Sequence, residues 1–380
     1  MPGLRCLFVV QGEGRGHLTQ ALALYALLQQ AGHTVPSVVV GQNQQRALPD
    51  FFRDAMAAPI HRVPSPSFVA DAARRGVRPG ATLWHGLAHA MRLSGRLDRL
   101  DALVREAQPD VVINFFEPLV GLYYGLRAPD PPMVSIAHQY MFLHPEYPFP
   151  GGWPVSRRAV RGFARLTAWG ASHRLALSLY PAPDCPEQQL TVHPPLLRPA
   201  VRQASVRTEP FLLLYLLNRG YLREVLQWHD RHPDAQLHVF VQRPGAPPRE
   251  RVRDTLTLHQ LDGARFVSMM ARCRGVASTA GFESVAEARY LGKPVQVVPV
   301  AGHFEQLCNA HDVARAGVGH WTPQFVLDPI QEMIADSPEC DTPFRRWVDR
   351  GQRQFVRVIE EAAGQPSAAR GAEVDAPATL

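Results

Sequence analysis

The chain has 380 residues, 46% of them hydrophobic, which is enough for two domains with full cores and ordinary for a globular protein. Forty Lys and Arg against 34 Asp and Glu give a formal net charge of +6, carried almost wholly by arginine because Lys293 is the one lysine, and no dense basic run marks a nucleic-acid tract. Five scattered cysteines without a C-x-x-C pair exclude a disulfide framework and a zinc ribbon and fit a reduced, cytosolic setting, while no apolar run reaches the length of a membrane span, so any membrane contact is peripheral.

Residues 4–10 read as a buried strand that runs straight into Q-G-E-G-R-G-H, which ends at His17. Leu18, Leu22, Tyr25 and Leu28 then recur at helical spacing, Gly32 ends the helix, and residues 35–40 supply a second strand. The glycines at 12, 14 and 16 give G-x-G-x-G and not the dinucleotide spacing G-x-G-x-x-G, and no acid closes the second strand. Residues 42–80 are rich in Pro and Arg and have poor periodicity. Residues 83–108 read as a helix and 110–114 as a strand, with Phe115, Phe116, Glu117 and Pro118 beyond its end. Residues 133–136 form another strand with His138 and Gln139 after it. Ligands in open α/β sheets bind beyond the carboxyl ends of the strands, where His17, Glu117 and His138 all belong. Residues 140–153 form an aromatic, proline-rich loop, and 173–179 read as the last strand of the first half.

A Pro- and Arg-rich stretch over 191–208 leads to a second half, which begins with the buried strand 211–217. Asn218, Arg219 and Gly220 follow, then a helix over 221–229, a strand over 236–241, and a short strand at Phe266 and Val267. The stretch 275–310 reads as strand, tight turn, helix, strand and loop. Thr279, Ala280 and Gly281 are small, so a bound group approaches the backbone closely. The helix starts near Phe282 or Glu283 and is closed by Gly292, Lys293 and Pro294. A small-residue turn feeding a helix N-terminus suits phosphate. Glu287 lies one helical turn past Glu283 on the same face. Residues 343–362 have a helical pattern.

Gly281, Ser284 and Glu287 form G-x-x-[ST]-x-x-E; Gly292 and Pro294 form G-x-P; and Glu305, Gln306, Asn309 and Ala310 form [DE]-Q-x-x-N-A. In this order they resemble the nucleotide-sugar half of GT-B glycosyltransferases, most nearly the MurG-type enzymes. The first glycine loop, with His17, is similar to the acceptor-side loop of the same fold. The resemblance implies an α/β GT-B fold, two Rossmann-like doubly wound parallel-sheet domains facing a cleft. It implies an acceptor-side domain over 1–195, a linker over 196–208, a nucleotide-sugar domain over 209–342, a helix over 343–362 that crosses back, and a disordered tail over 363–380.

The implied activity is metal-independent, inverting transfer of a sugar from a nucleotide-activated donor, a UDP-sugar by family habit, to a small-molecule, saccharide or lipid-linked acceptor, with no cofactor. The setting implied is cytoplasmic, at most at the inner face of the membrane. Thr279, Gly281, Phe282, Glu283 and Ser284 are placed for the diphosphate, with Arg219 and Gly220 opposite. Glu287 is placed for the ribose, the main chain at Val267 for the base, and Glu305 and Gln306 for the sugar hydroxyls. His17 is the candidate base. Glu117 or Glu13 is the candidate to orient it, and His138 its substitute. The relatives carry an acid in a D-F-E-P-like run where this chain has F-F-E-P, so Phe115 stands in an acid's place. Two other readings stay open from the residues: a UDP-sugar 2-epimerase, and a nucleotide-sugar-binding protein with reduced catalysis.

Overall fold

The computed structural model describes residues 3–42, 47–65, 82–336 and 342–364. Seven strands form the first sheet: β1 (Cys6–Gln11), β2 (Val38–Gly41), β3 (Ile60–Val63), β4 (Val111–Phe115), β5 (Met133–Ala137), β6 (His173–Leu177) and β7 (Leu190–His193). Their order is β3-β2-β1-β4-β5-β6-β7, and every neighbouring pair is parallel. Seven more form the second sheet: β8 (Leu212–Leu216), β9 (Leu237–Val241), β10 (Arg249–Arg253), β11 (Leu256–His259), β12 (Gly275–Thr279), β13 (Val295–Val298) and β14 (Gly319–Trp321). The order is β10-β11-β9-β8-β12-β13-β14, parallel except for β10 against β11. Sequences such as V-V-I-N-F and L-L-L-Y-L are mostly apolar because helices cover both faces of such sheets.

Both sheets reverse their strand order at the same place. β1 lies between β2 and β4, and β8 lies between β9 and β12. A crevice opens there at the carboxyl ends of the strands. The two crevices face each other.

The long helix Thr342–Ala363 packs on both halves. Its Phe355 ring lies 4.7 Å from His193 of β7, and Glu360 Oε1 lies 3.1 Å from His33 Nε2. Its Asp349 accepts a 3.0 Å hydrogen bond from Tyr290 of the second half. Gly351 is needed there, because a Cβ would sit 2.1 Å from the Pro194 ring. Among the described residues no helix is long and apolar enough to cross a membrane.

Two expectations need correction. The first sheet does not end at 173–179, since β7 adds an edge strand from residues whose Thr and His hide the apolar alternation. Phe266 and Val267 are not a strand. They lie in the helix Gly263–Met270, which Asp262 caps by accepting from Arg265 N at 2.9 Å. The missed strands in that region are β10 and β11. The tail at 365–380 lies outside the described residues, as do 43–46 and 66–80 of the stretch 42–80.

Candidate active site between the two sheets

The first half of the site grows from β1. Its chain passes through Gly12, whose N–H donates to Gly41 O at 2.7 Å, into the helix Arg15–Gln30. No side chain caps that helix at Gly14. His17 lies in its first turn, buried, with its ring stacked on Phe116 at 5.4 Å. Phe116 holds a left-handed φ of +60° to reach this position. His17 Nδ1 is 3.3 Å from Gln20 Oε1, and Nε2 is 3.5 Å from Gln139 Nε2. Burial, helped by nearby His138, pushes the His17 pKa down to about 4, so the imidazole is neutral at pH 7.

The opposing half grows from β12. The turn at Ala280 and Gly281 is pinned by Gly281 N donating to Thr279 O at 2.6 Å and by Asn309 Nδ2 donating to Ala280 O at 3.0 Å. It feeds the helix Phe282–Tyr290, again without a side-chain cap at its N-terminus. Phe282 stacks flat on His138 at 4.8 Å and 4°, across the two halves. Glu283 accepts a hydrogen bond from Gln20 Nε2. Glu305 opens the helix Phe304–Arg315, which His303 caps by accepting from Gln306 N at 3.3 Å. Glu305 Oε1 accepts from Gln139 Nε2 at 3.1 Å and lies 3.4 Å from His138 Nε2. Burial alone raises a carboxyl; His138, with His303 and His17, outweighs it and holds Glu305 down at about 2. His17, Gln20, His138, Gln139, Glu283 and Glu305 thus form one network built from both halves.

Other predicted residues lie elsewhere. Glu117 does not orient His17. It caps the helix Pro118–Arg127, accepting from Leu119 N at 3.0 Å and from Ser65 Oγ at 2.6 Å. Burial lifts its carboxyl to about 7. Its Oε2 fills the space beside Gly41, where a Cβ would sit 2.1 Å away. Val267 does not offer its main chain to a base. Its side chain is in the core, and its carbonyl accepts from Ala271 N at 3.0 Å within the helix. Glu287 is 2% exposed, and both its oxygens accept from Arg198 at 2.7 Å. As the structure stands, it is paired with the linker and not presented to a ribose. Arg219 and Gly220 are exposed in a tight turn beyond β8, where Asn218 Oδ1 accepts from Gly220 N at 2.9 Å. Glu13 lies in the loop before the first helix, and its charge acts on Glu117. Ser284 is in the first turn of the donor-side helix, and Gln306 Oε1 accepts from Val300 N at 2.9 Å, bracing the loop after β13.

Gln20, Gln139 and Arg198 were missed by sequence reasoning. Gln20 is three residues past His17 on the same helix face, a spacing that could have marked it. Gln139 follows His138 at a strand end. Nothing in the Pro- and Arg-rich segment singles out Arg198.

Two doubly wound domains whose switch points face each other, with a histidine on one side and a small-residue turn on the other, define a GT-B glycosyltransferase. The family model for glycosyl transferase family 1 matches residues 4–338, and the chain belongs to that family. No curated protein matches it. Similar solved structures include the glycotransferase of kitacinnamycin, with a TM-score of 0.62 at 17% identity, covering 95% of this chain and 100% of that one. The spinosyn rhamnosyltransferase SpnG complexed with thymidine diphosphate gives 0.61 at 17% identity, covering 94% and 100%. LpCGTa in complex with UDP gives 0.64 at 15% identity, covering 96% and 100%.

Proposed function

We propose that this glycosyltransferase moves a sugar from a nucleoside-diphosphate donor to a small-molecule hydroxyl, with inversion and without a metal ion. The observation that carries the reading is the placement of neutral His17 across the cleft from the uncapped N-terminus of the helix Phe282–Tyr290. The helix supplies N–H groups at Phe282, Glu283 and Ser284 and a favourable dipole for the departing diphosphate. His17 accepts the proton of the incoming hydroxyl, which attacks the anomeric carbon from the face opposite the leaving group. Glu305 is the candidate for the sugar hydroxyls, with Gln306 bracing the loop beside it, and Arg219 and Gly220 are the candidates for the phosphates from the β8 side.

Glu287 serves the ribose once Arg198 moves off it. Complexes of structural neighbours with thymidine diphosphate and UDP support the donor class. A neighbour complexed with spinosyn aglycone supports a small-molecule acceptor. The aromatic group of Phe149, Trp153 and Phe304, next in sequence to Glu305, suits an apolar one.

Thermal stabilisation by UDP, TDP and NAD tests this first. A ligand at a hundred times its Kd adds about 2.7 kcal/mol. UDP or TDP should stabilise the wild type and fail to stabilise Glu287→Ala; stabilisation by NAD alone overturns the reading. Transfer that persists in EDTA and gives the inverted anomer by NMR completes it.

A further inference from the structure

The relatives implied by the sequence carry an acid where this chain has Phe115. The structure buries Phe115 in the core against Phe8, ring to ring at 5.2 Å, and commits Glu117 to Ser65 and Leu119. Neither residue can orient His17, so the orienting group has to come from elsewhere. Gln20 Oε1 lies 3.3 Å from His17 Nδ1, and Gln20 Nε2 donates to Glu283 of the other domain. With its Nε2 donating to Glu283, the amide turns its oxygen to His17. An amide oxygen only accepts, so the ring hydrogen must be on Nδ1. Nε2 then carries the lone pair. Gly16 fits this path, since a Cβ there would lie 2.6 Å from Glu283 Oε2.

We propose that Gln20 and Glu283 are the positioning pair for the base. The Glu283 carboxylate, brought from the donor domain, fixes the Gln20 amide, and the amide holds His17 as the Nδ1–H tautomer with the Nε2 lone pair on the side of Gln139. The proposal rests on His17 being the base. In the step itself, the acceptor oxygen forms its bond to the anomeric carbon, and the bond from that carbon to the diphosphate breaks with its electron pair going to the phosphate oxygen. The acceptor's proton goes to Nε2. The Nδ1–H stays on the ring, still bonded to Gln20, and no proton reaches Glu283. Because Glu283 belongs to the opposite domain, the base is oriented only at the closed spacing of the cleft. A separated cleft releases the amide and leaves the imidazole free to take either tautomer.

The test combines ¹⁵N-histidine NMR of the full chain with kinetics on a UDP-sugar donor. His17 is assigned by comparison with His17→Gln. Wild type should show a protonated Nδ1 and a bare Nε2. Gln20→Met should lose that signature and lower kcat at least about tenfold, with the donor KM unchanged, since a misoriented histidine base costs up to about 10⁴-fold. The reciprocal pair Gln20→Glu with Glu283→Gln puts a carboxylate directly on Nδ1–H and should recover both the signature and most of kcat. A wild type carrying its hydrogen on Nε2 overturns the proposal. So does Gln20→Met with an unchanged tautomer, or with a loss confined to KM. If His17→Ala retains its turnover, the assignment of the base fails instead, while the tautomer spectra still decide whether Gln20 and Glu283 fix the ring.

Discussion

The two switch-point turns make the instructive comparison. Each follows an interior strand beside the switch point, β1 in the first sheet and β12 in the second, each ends in a glycine, and each starts a helix without a side-chain cap. They differ in what the first turn presents. The first-half helix presents His17 and Gln20, neutral side chains with directional hydrogen bonds. The second-half helix presents backbone N–H groups and the Glu283 carboxylate. One architecture thus serves two chemistries. Proton handling needs a side chain with a tuned pKa, whereas a diphosphate needs only dipoles held still.

Loss of the side-chain half should give the largest effect. His17→Ala should lower kcat by about 10²–10⁴-fold with nucleotide affinity unchanged, by steady-state kinetics beside UDP titration. Equal losses in both would show that the two turns are not specialised. Next is the latch on the donor helix. Arg198→Met leaves Glu287 buried without a partner and should destabilise the protein by about 3–5 kcal/mol, read from denaturant midpoints.

Glu117 tests the first half through pH. Its carboxyl is raised from an ordinary value near 4.5 to about 7, so the folded state binds the extra proton between those values. Stability is therefore greatest below about 4.5 and falls as pH rises toward 7, by up to about 1.4 kcal/mol per unit. Glu117→Gln should remove this slope, with its Tm advantage over wild type larger at pH 8 than at pH 5. The smallest effect is expected at Gly41. Gly41→Ala crowds Glu117 and should cost about 1–3 kcal/mol while leaving nucleotide binding intact.

Much of the fold could be read from the chain because buried parallel strands write themselves as apolar runs. β1, β4, β8 and β12 carry that signal, and so does the Gly292, Lys293 and Pro294 stop after the donor-side helix. The edge strands β7 and β10 do not, because polar Thr, His, Arg and Glu break the pattern. The candidate site could be read where its residues sit on one element, as with His17, or Glu283 and Ser284. It was not legible where a contact joins distant segments. Gln20 with Glu283, Gln139 with Glu305, and Arg198 with Glu287 are separated by 263, 166 and 89 residues, and no local spacing encodes them. The misplacement of Val267 came from reading two apolar residues as a strand when Asp262 had already signalled a helix start.

The returning C-terminal helix has a mechanical consequence. The chain passes between the halves twice, once through the segment after β7 and once through the helix Thr342–Ala363, and the two passages touch where Gly351 meets Pro194. Two bodies joined by a single strap can swivel and twist freely. Joined by two straps that meet along one line, they turn about that line like the covers of a book. An opening about that line would carry Glu283 and Glu305 together away from Gln20 and Gln139.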